Sequence, residues 1–222
     1  MAAVYVFNMA KLISDIQTQK KDPKRVNVYL DGEFAFGVSK VVAAWLKIGQ
    51  MLPEEKIESL RNEEEIETAY LKSLHFVSYR PRTTFEIRKN LLGKDYPEPI
   101  IDAVLERLSE NHLVDDLEFA RNWIANRQEL HPRSQLILTL ELRRKGISDE
   151  LIQETLEGNT DDEQVAYLAA RKYLHRIENL ERLTFYKKMT NHLSGRGFNY
   201  STIRPVVDRI WKELHSPEES TK

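Results

Sequence analysis

Cysteine is absent from the 222 residues, which excludes a disulfide framework, a thiol nucleophile and a cysteine-held iron–sulfur cluster. Glycine and proline are scarce at eight each, about 7 % of the chain against roughly 12 % in average usage. With 41 % apolar and 31 % charged residues, disorder, collagen and low complexity are excluded as well. No apolar run approaches the ~20 residues that a bilayer demands; the longest lies near residues 41–46. No signal-peptide layout opens the chain, so a cytoplasmic location is expected. An excess of one charge is also missing: 33 Lys and Arg face 35 Asp and Glu. An anionic partner must therefore be met by a local patch rather than by bulk charge.

What the chain does have begins with a hairpin signal. Val26, Val28 and Leu30 alternate with polar residues, Asp31-Gly32 supplies a turn, and Phe34, Phe36 and Val38 follow. A two-residue turn would pair Leu30 with Glu33. A three-residue loop would pair Leu30 with Phe34 and put all six apolar residues on one face, and this second register is the expected one. Residues 13–17 alternate weakly and offer a third strand. Ser39 is then read as the cap of a helix ending near Gly49, and Pro53-Glu54-Glu55 opens another.

From residue 62 the pattern is helix after helix, with Thr83-x-x-Glu86 and Thr160-x-x-Glu163 as capping boxes. Leu91, Asp95, Tyr96, Ile101 and Leu105 return 51 residues later as Leu142, Gly146, Ile147, Ile152 and Leu156. They return again as Leu193, Gly197, Phe198, Ile203 and Val207. A glycine four residues after a leucine and just before an apolar residue is a helix-ending turn, with glycine in the left-handed position and the apolar residue packed back on the leucine. Asp95 lacks that freedom, which predicts a strained or differently built end in the first copy. The expected fold is mainly α: three tandem three-helix repeats behind a small hairpin-containing N-terminal module. Residues 1–61 form the head, and 62–112, 113–160 and 161–222 form the repeats. The repeat residues are read as structural.

No catalytic arrangement rises above background, and no enzyme, cofactor or metal is expected. Gly195-Arg196-Gly197 lacks the third glycine and the preceding strand of a dinucleotide site. The six histidines never stand at i, i+4 around a glutamate, and Glu63–Glu65 and Asp161–Glu163 have a sufficient explanation in the helix dipole. Charge placement says more. Arg80, Arg82, Arg88, Lys89 and Lys94 meet only Glu86; Arg133, Arg143, Arg144 and Lys145 meet only Glu141; Arg182, Lys187, Lys188 and Arg196 meet no acid, whereas residues 149–163 are acidic throughout. The recurrence predicts a shared basic surface for an acidic protein groove or a nucleic-acid backbone. Its candidate residues are Arg82, Arg88, Lys89, Arg133, Arg143, Arg144, Lys145, Lys187, Lys188 and Arg196.

The middle repeat carries His112-Leu113-Val114-Asp115-Asp116, Phe119-Ala120, Trp123-Ile124, Arg127 and then Glu141-Leu142-Arg143-Arg144-Lys145-Gly146-Ile147-Ser148. With Arg196-Gly197-Phe198 in the last copy, this order resembles the RecX family of recombination regulators over residues 62–214. The stretch Val26 to Phe34 is similar to the N-terminal extension of longer members. The resemblance implies a non-enzymatic protein that binds the RecA recombinase filament and restrains its ATPase, strand-exchange and co-protease activities, with some contact to single- or double-stranded DNA. Ile137 and Thr139 stand where members often carry bases, which weights protein contact over DNA contact. An autonomous DNA-binding module is the alternative. No membrane contact is expected, and nothing in the sequence demands a dimer, so a monomer is expected. Phe119, Trp123 and Ile124 are read as packing the middle repeat, and Arg127 as pairing with Asp115 or Asp116 or reaching the partner.

Overall fold

The computed structural model describes residues 10–157 and 161–215. The chain divides into two compact units, Met1–Pro81 with Ile87–Val114 and Arg82–Glu86 with Asp115–Lys222.

The first unit opens with four antiparallel strands, β1 (Lys11–Thr18), β2 (Arg25–Leu30), β3 (Glu33–Ser39) and β4 (Met51–Leu52), in the order β3-β2-β1-β4. The hairpin register differs from expectation. Leu30 pairs with Glu33 across a two-residue turn in which Asp31 (φ 51°) and Gly32 (φ 87°) are both left-handed, the turn whose twist matches that of the strands. Left alone, that register would turn Phe36 and Val38 to the wrong face. A bulge between Val28 and Tyr29 corrects it: Tyr29 pairs with Phe34 but Val28 with Phe36, leaving Ala35 as the extra residue. Val26, Val28, Leu30, Phe36 and Val38 are therefore buried, and Phe34 is 60 % exposed.

The helix expected between Ser39 and Gly49 is also corrected. Ser39 Oγ accepts from the Val42 amide (3.3 Å), but only one 3-10 turn, Val42–Trp45, follows before Leu46 turns extended. Sheet pairing captures the rest: Gly49 N donates to the Ile13 carbonyl (2.8 Å) and Ile13 N to that of Gln50 (2.9 Å). A strand partner for β1 outweighs the weak helical preference of residues 46–50. Helix α1 (Glu54–Ser78) starts after Pro53 with Glu54 and Glu55 in its first turn, as the sequence predicts, and runs unbroken past residue 61. Its buried Glu64 ties it to the sheet, accepting from Arg25 Nη1 (2.5 Å), the Ser39 amide (2.5 Å) and Thr68 Oγ1 (3.2 Å).

Helices α2 (Thr84–Leu92) and α3 (Glu98–Glu110) complete the first repeat. The second is α4 (Asp116–Leu130), α5 (Gln135–Arg144) and α6 (Asp149–Leu156); the third is α7 (Asp162–Leu174), α8 (Arg182–Ser194) and α9 (Tyr200–His215). The apolar periodic residues pack in the core of each copy, with Leu91, Leu142 and Leu193 fully enclosed. Each second helix ends in the same turn: Tyr96, Ile147 and Phe198 donate their amides to the carbonyls of Leu91, Leu142 and Leu193 (3.3, 3.2 and 3.3 Å). The first copy is not built differently; Asp95 itself takes the left-handed conformation at φ 62°, where Gly146 has 77° and Gly197 85°. Thr83 Oγ1 accepts from the Glu86 amide (3.2 Å) as the capping box requires. Thr160 lies outside the described residues, and α7 is capped by Asp161, whose carboxylate accepts from Glu163 N (2.9 Å).

Candidate partner-binding surface

In the second unit, α5 presents a face of mixed character. Leu138 and Leu142 are buried, so residues 136, 140, 143 and 144 fall on the outward side of a 3.6-residue period. Leu136 is 62 % exposed, Leu140 is partly exposed, and Arg143 and Arg144 stand beside them. Arg143 Nε donates to Asp149 (2.6 Å), and this hydrogen bond, followed by the aspartate's charge, raises the guanidinium above its ordinary value. Thr139, Arg143, Asp149, Ile152 and Gln153 line a shallow open depression along this face.

The nominated bases fall into three groups. Several are engaged within the chain. Arg88 pairs with Asp102 (2.5 Å) and with Glu98; the hydrogen bond to Asp102 leads in raising its guanidinium. Lys145 Nζ lies 2.9 Å from Glu86 Oε1 and over the Trp123 ring. Arg82 is half-buried and also has a partner within the chain. Among the described residues Lys89, Arg144, Lys187 and Lys188 are exposed and form no ion pair. Arg133 and Arg196 come together, because the Ser134 amide donates to the Arg196 carbonyl (3.1 Å).

That third group holds two features the sequence did not disclose. Arg176, outside the repeated positions, acts electrostatically on Arg196: burial first, then the charges of Arg133 and Arg176, lower the Arg196 guanidinium below its ordinary value. His192 stacks on Tyr173 at a centroid distance of 3.8 Å. Burial, followed by Arg196 and Arg176, pushes its imidazole down to about 4.

Arg127 pairs with neither Asp115 nor Asp116. Its Nε donates to Glu141 Oε2 (2.8 Å), the guanidinium lies 4.6 Å from the Trp123 ring centre, and Trp123 Nε1 donates to the same oxygen (2.8 Å). The two aspartates serve the helix starts instead: Asp115 accepts from Glu118 N (2.9 Å), while Asp116 accepts from Thr84 N (2.9 Å) and Thr84 Oγ1 (2.6 Å). Phe119 and Ile124 are buried in the middle repeat, with Trp123 packed against them. Among the described residues no group of three His, Asp or Glu is placed to hold a metal, and no helix is long and apolar enough to cross a membrane.

Comparison with known proteins reaches the same architecture. The profile of the regulatory protein RecX N-terminal domain matches residues 11–52, and those of the first, second and third three-helix domains of RecX match 69–108, 115–156 and 161–207. The regulatory protein RecX of Bacillus subtilis (strain 168) is 30 % identical over 214 residues, 95 % of this chain and 80 % of the relative. That of Clostridioides difficile (strain 630) is 28 % identical over 90 % of this chain and 95 % of its own length. A crystal structure of regulatory protein RecX superposes with a TM-score of 0.70 at 29 % identity, covering 89 % of this chain and 99 % of that one. By profile, by sequence and by fold, the chain belongs to the RecX family of regulatory proteins.

Proposed function

We propose that the chain binds the RecA recombinase filament and restrains its ATPase, strand-exchange and co-protease activities, acting in the cytoplasm as a monomer and without chemistry of its own. The carrying observation is the outward face of α5, where exposed Leu136 and Leu140 adjoin Arg143 and Arg144. A surface that only follows phosphates gains nothing from exposed leucines, whereas a protein interface combines an apolar centre with a charged rim. Higher affinity for one filament state than for another shifts the filament's equilibrium, which suffices for regulation. Lys187 and Lys188 of the same unit, and separately Lys89 of the first unit, are further candidate contacts to acidic protein or to DNA.

The test is the ATPase of a RecA filament on single-stranded DNA while this protein is titrated, with DNA binding by the protein alone as the control. Substoichiometric inhibition with weak free-DNA binding is the expected result. An unchanged ATPase with tight DNA binding that falls steeply with salt would transfer the function to an autonomous DNA-binding module.

A further inference from the structure

The start of one second helix meets the end of the following one at two equivalent joints of the second unit. At the first, Thr83 Oγ1 donates to the Lys145 carbonyl (2.7 Å), and the Lys145 ammonium is matched by Glu86. At the second, the Ser134 amide donates to the Arg196 carbonyl. By the 51-residue period Arg196 occupies the place of Lys145, and Ile137 occupies the place of Glu86. The cation is kept and its carboxylate is gone.

Further cations gather there instead. Arg133 adjoins Ser134. Arg176 lies 6.0 Å from the ring centre of Tyr173, which is stacked on His192, one helical turn before Arg196. The Nε–H groups of both Arg133 and Arg196 are buried without a hydrogen-bond acceptor. Glu141 Oε1 lies 3.4 Å from Arg133 Nε without hydrogen-bond geometry, and Oε2 accepts from Arg127 and Trp123, so this one carboxylate serves two arginines. Among the described residues no carboxylate pairs with Arg176 or Arg196. Buried donors without acceptors and like charges that outnumber their counter-charges both disfavour an arrangement. An oxyanion removes both costs.

We propose that Arg133, Arg176 and Arg196 form a binding site for a phosphate group, which supplies at this joint from outside the negative charge that Glu86 supplies at the first joint from within. A phosphate presents three or four acceptor oxygens in a tetrahedral arrangement and up to two negative charges, which lets it bond several guanidinium groups from different directions at once. Two sources share this chemistry, a free phosphate or nucleotide and the backbone of a nucleic acid. The site rests on this chain's own side chains and stands whether or not RecA is the partner.

Arginine Nε–Hε signals of the full chain, followed by NMR, test the site, with inorganic phosphate titrated against chloride at equal ionic strength. The expected result is a saturable shift of the Arg133, Arg176 and Arg196 signals with phosphate alone. The remaining arginine signals are lost to phosphate in Arg176→Gln and unchanged in their response in Arg121→Gln. Ile137→Glu, which restores the first joint's carboxylate, is expected to weaken phosphate at least tenfold. Thermal melts report folding, and should Ile137→Glu fail to fold, the exposed Arg176 carries the test. Oligothymidylate shifting the same signals at lower concentration assigns the phosphate to a backbone, while a response to free phosphate alone assigns it to a small molecule. No saturable shift with either, an equal shift with chloride, or a shift with polyglutamate where phosphate gives none, overturns the proposal.

Discussion

Asp95 and its counterparts Gly146 and Gly197 share one backbone conformation but not one environment. A Cβ on Gly146 would lie 2.2 Å from Phe85 Cβ, and one on Gly197 would lie 2.2 Å from Ile137 Cγ1. Asp95 is exposed. The glycines thus answer two demands, positive φ and close approach of the preceding repeat, while Asp95 answers only the first. Asp95→Gly is expected to stabilise by about 0.5–1 kcal/mol by relieving the left-handed conformation. Gly146→Ala or Gly197→Ala is expected to cost about 2–4 kcal/mol, since strain and overpacking add; urea unfolding reads both signs. His192 gives a pH prediction. Its folded value near 4 lies below the ordinary 6.5, so the unfolded chain takes up the proton first as pH falls. The contribution to stability is complete above about 6.5 and is lost progressively down to about 4. Allowing for solvent screening, the loss is about 1–2 kcal/mol. His192→Gln should flatten the melting temperature between pH 7 and 4.5 relative to the unaltered chain.

At the scale of elements, Glu64 is the joint between sheet and helix. Glu64→Ala leaves the Ser39 amide and Arg25 Nη1 without their acceptor, while Arg25 Nη2 keeps the Gly37 carbonyl, and is expected to cost about 3 kcal/mol. Glu64→Gln keeps one acceptor oxygen, and about half that loss is expected. Chemical unfolding and hydrogen exchange at the Ser39 amide check both. The same elements show what a sequence discloses. The repeats were legible because one hydrogen-bonded turn recurs at a fixed distance from a buried leucine. The existence of the hairpin was legible too, but its register was not: the turn obeys local twist, and the bulge at Ala35 that reconciles it with the apolar alternation leaves no sequence mark of its own. Residues 40–49 read as helix until β1 supplies them with partners. Arg127 finds Glu141 on another helix, a pairing that spacing along its own helix does not reveal. Of the candidate surface, the individual bases were legible but their internal pairing was not, and Arg176 gave no periodic signal.

For the molecule as a whole, some candidate bases are engaged within the chain, as Arg88 and Lys145 are, while Arg144, Lys187 and Lys188 form no ion pair among the described residues. Arg143→Ala with Arg144→Ala is expected to weaken filament binding about tenfold while leaving the melting temperature within about 2 °C, since exposed pairs contribute little to stability. Adding Lys145→Ala is expected to lower the melting temperature further, because half-buried Glu86 then loses the Lys145 ammonium. Binding isotherms on preformed filaments, beside thermal melts of the same samples, separate the two effects.

The joints between successive second helices work as hook and eye. Thr83 and Ser134 are hooks, and the turns closed by Gly146 and Gly197 are the eyes that receive them. The first repeat has a hook but, with Asp95 in place of glycine, no eye. The third has an eye, while Phe185, standing where the next hook would be, is buried in its own core. Among the described residues only the middle repeat has both, so it is the stretch that could be copied in place with a fastening on each side.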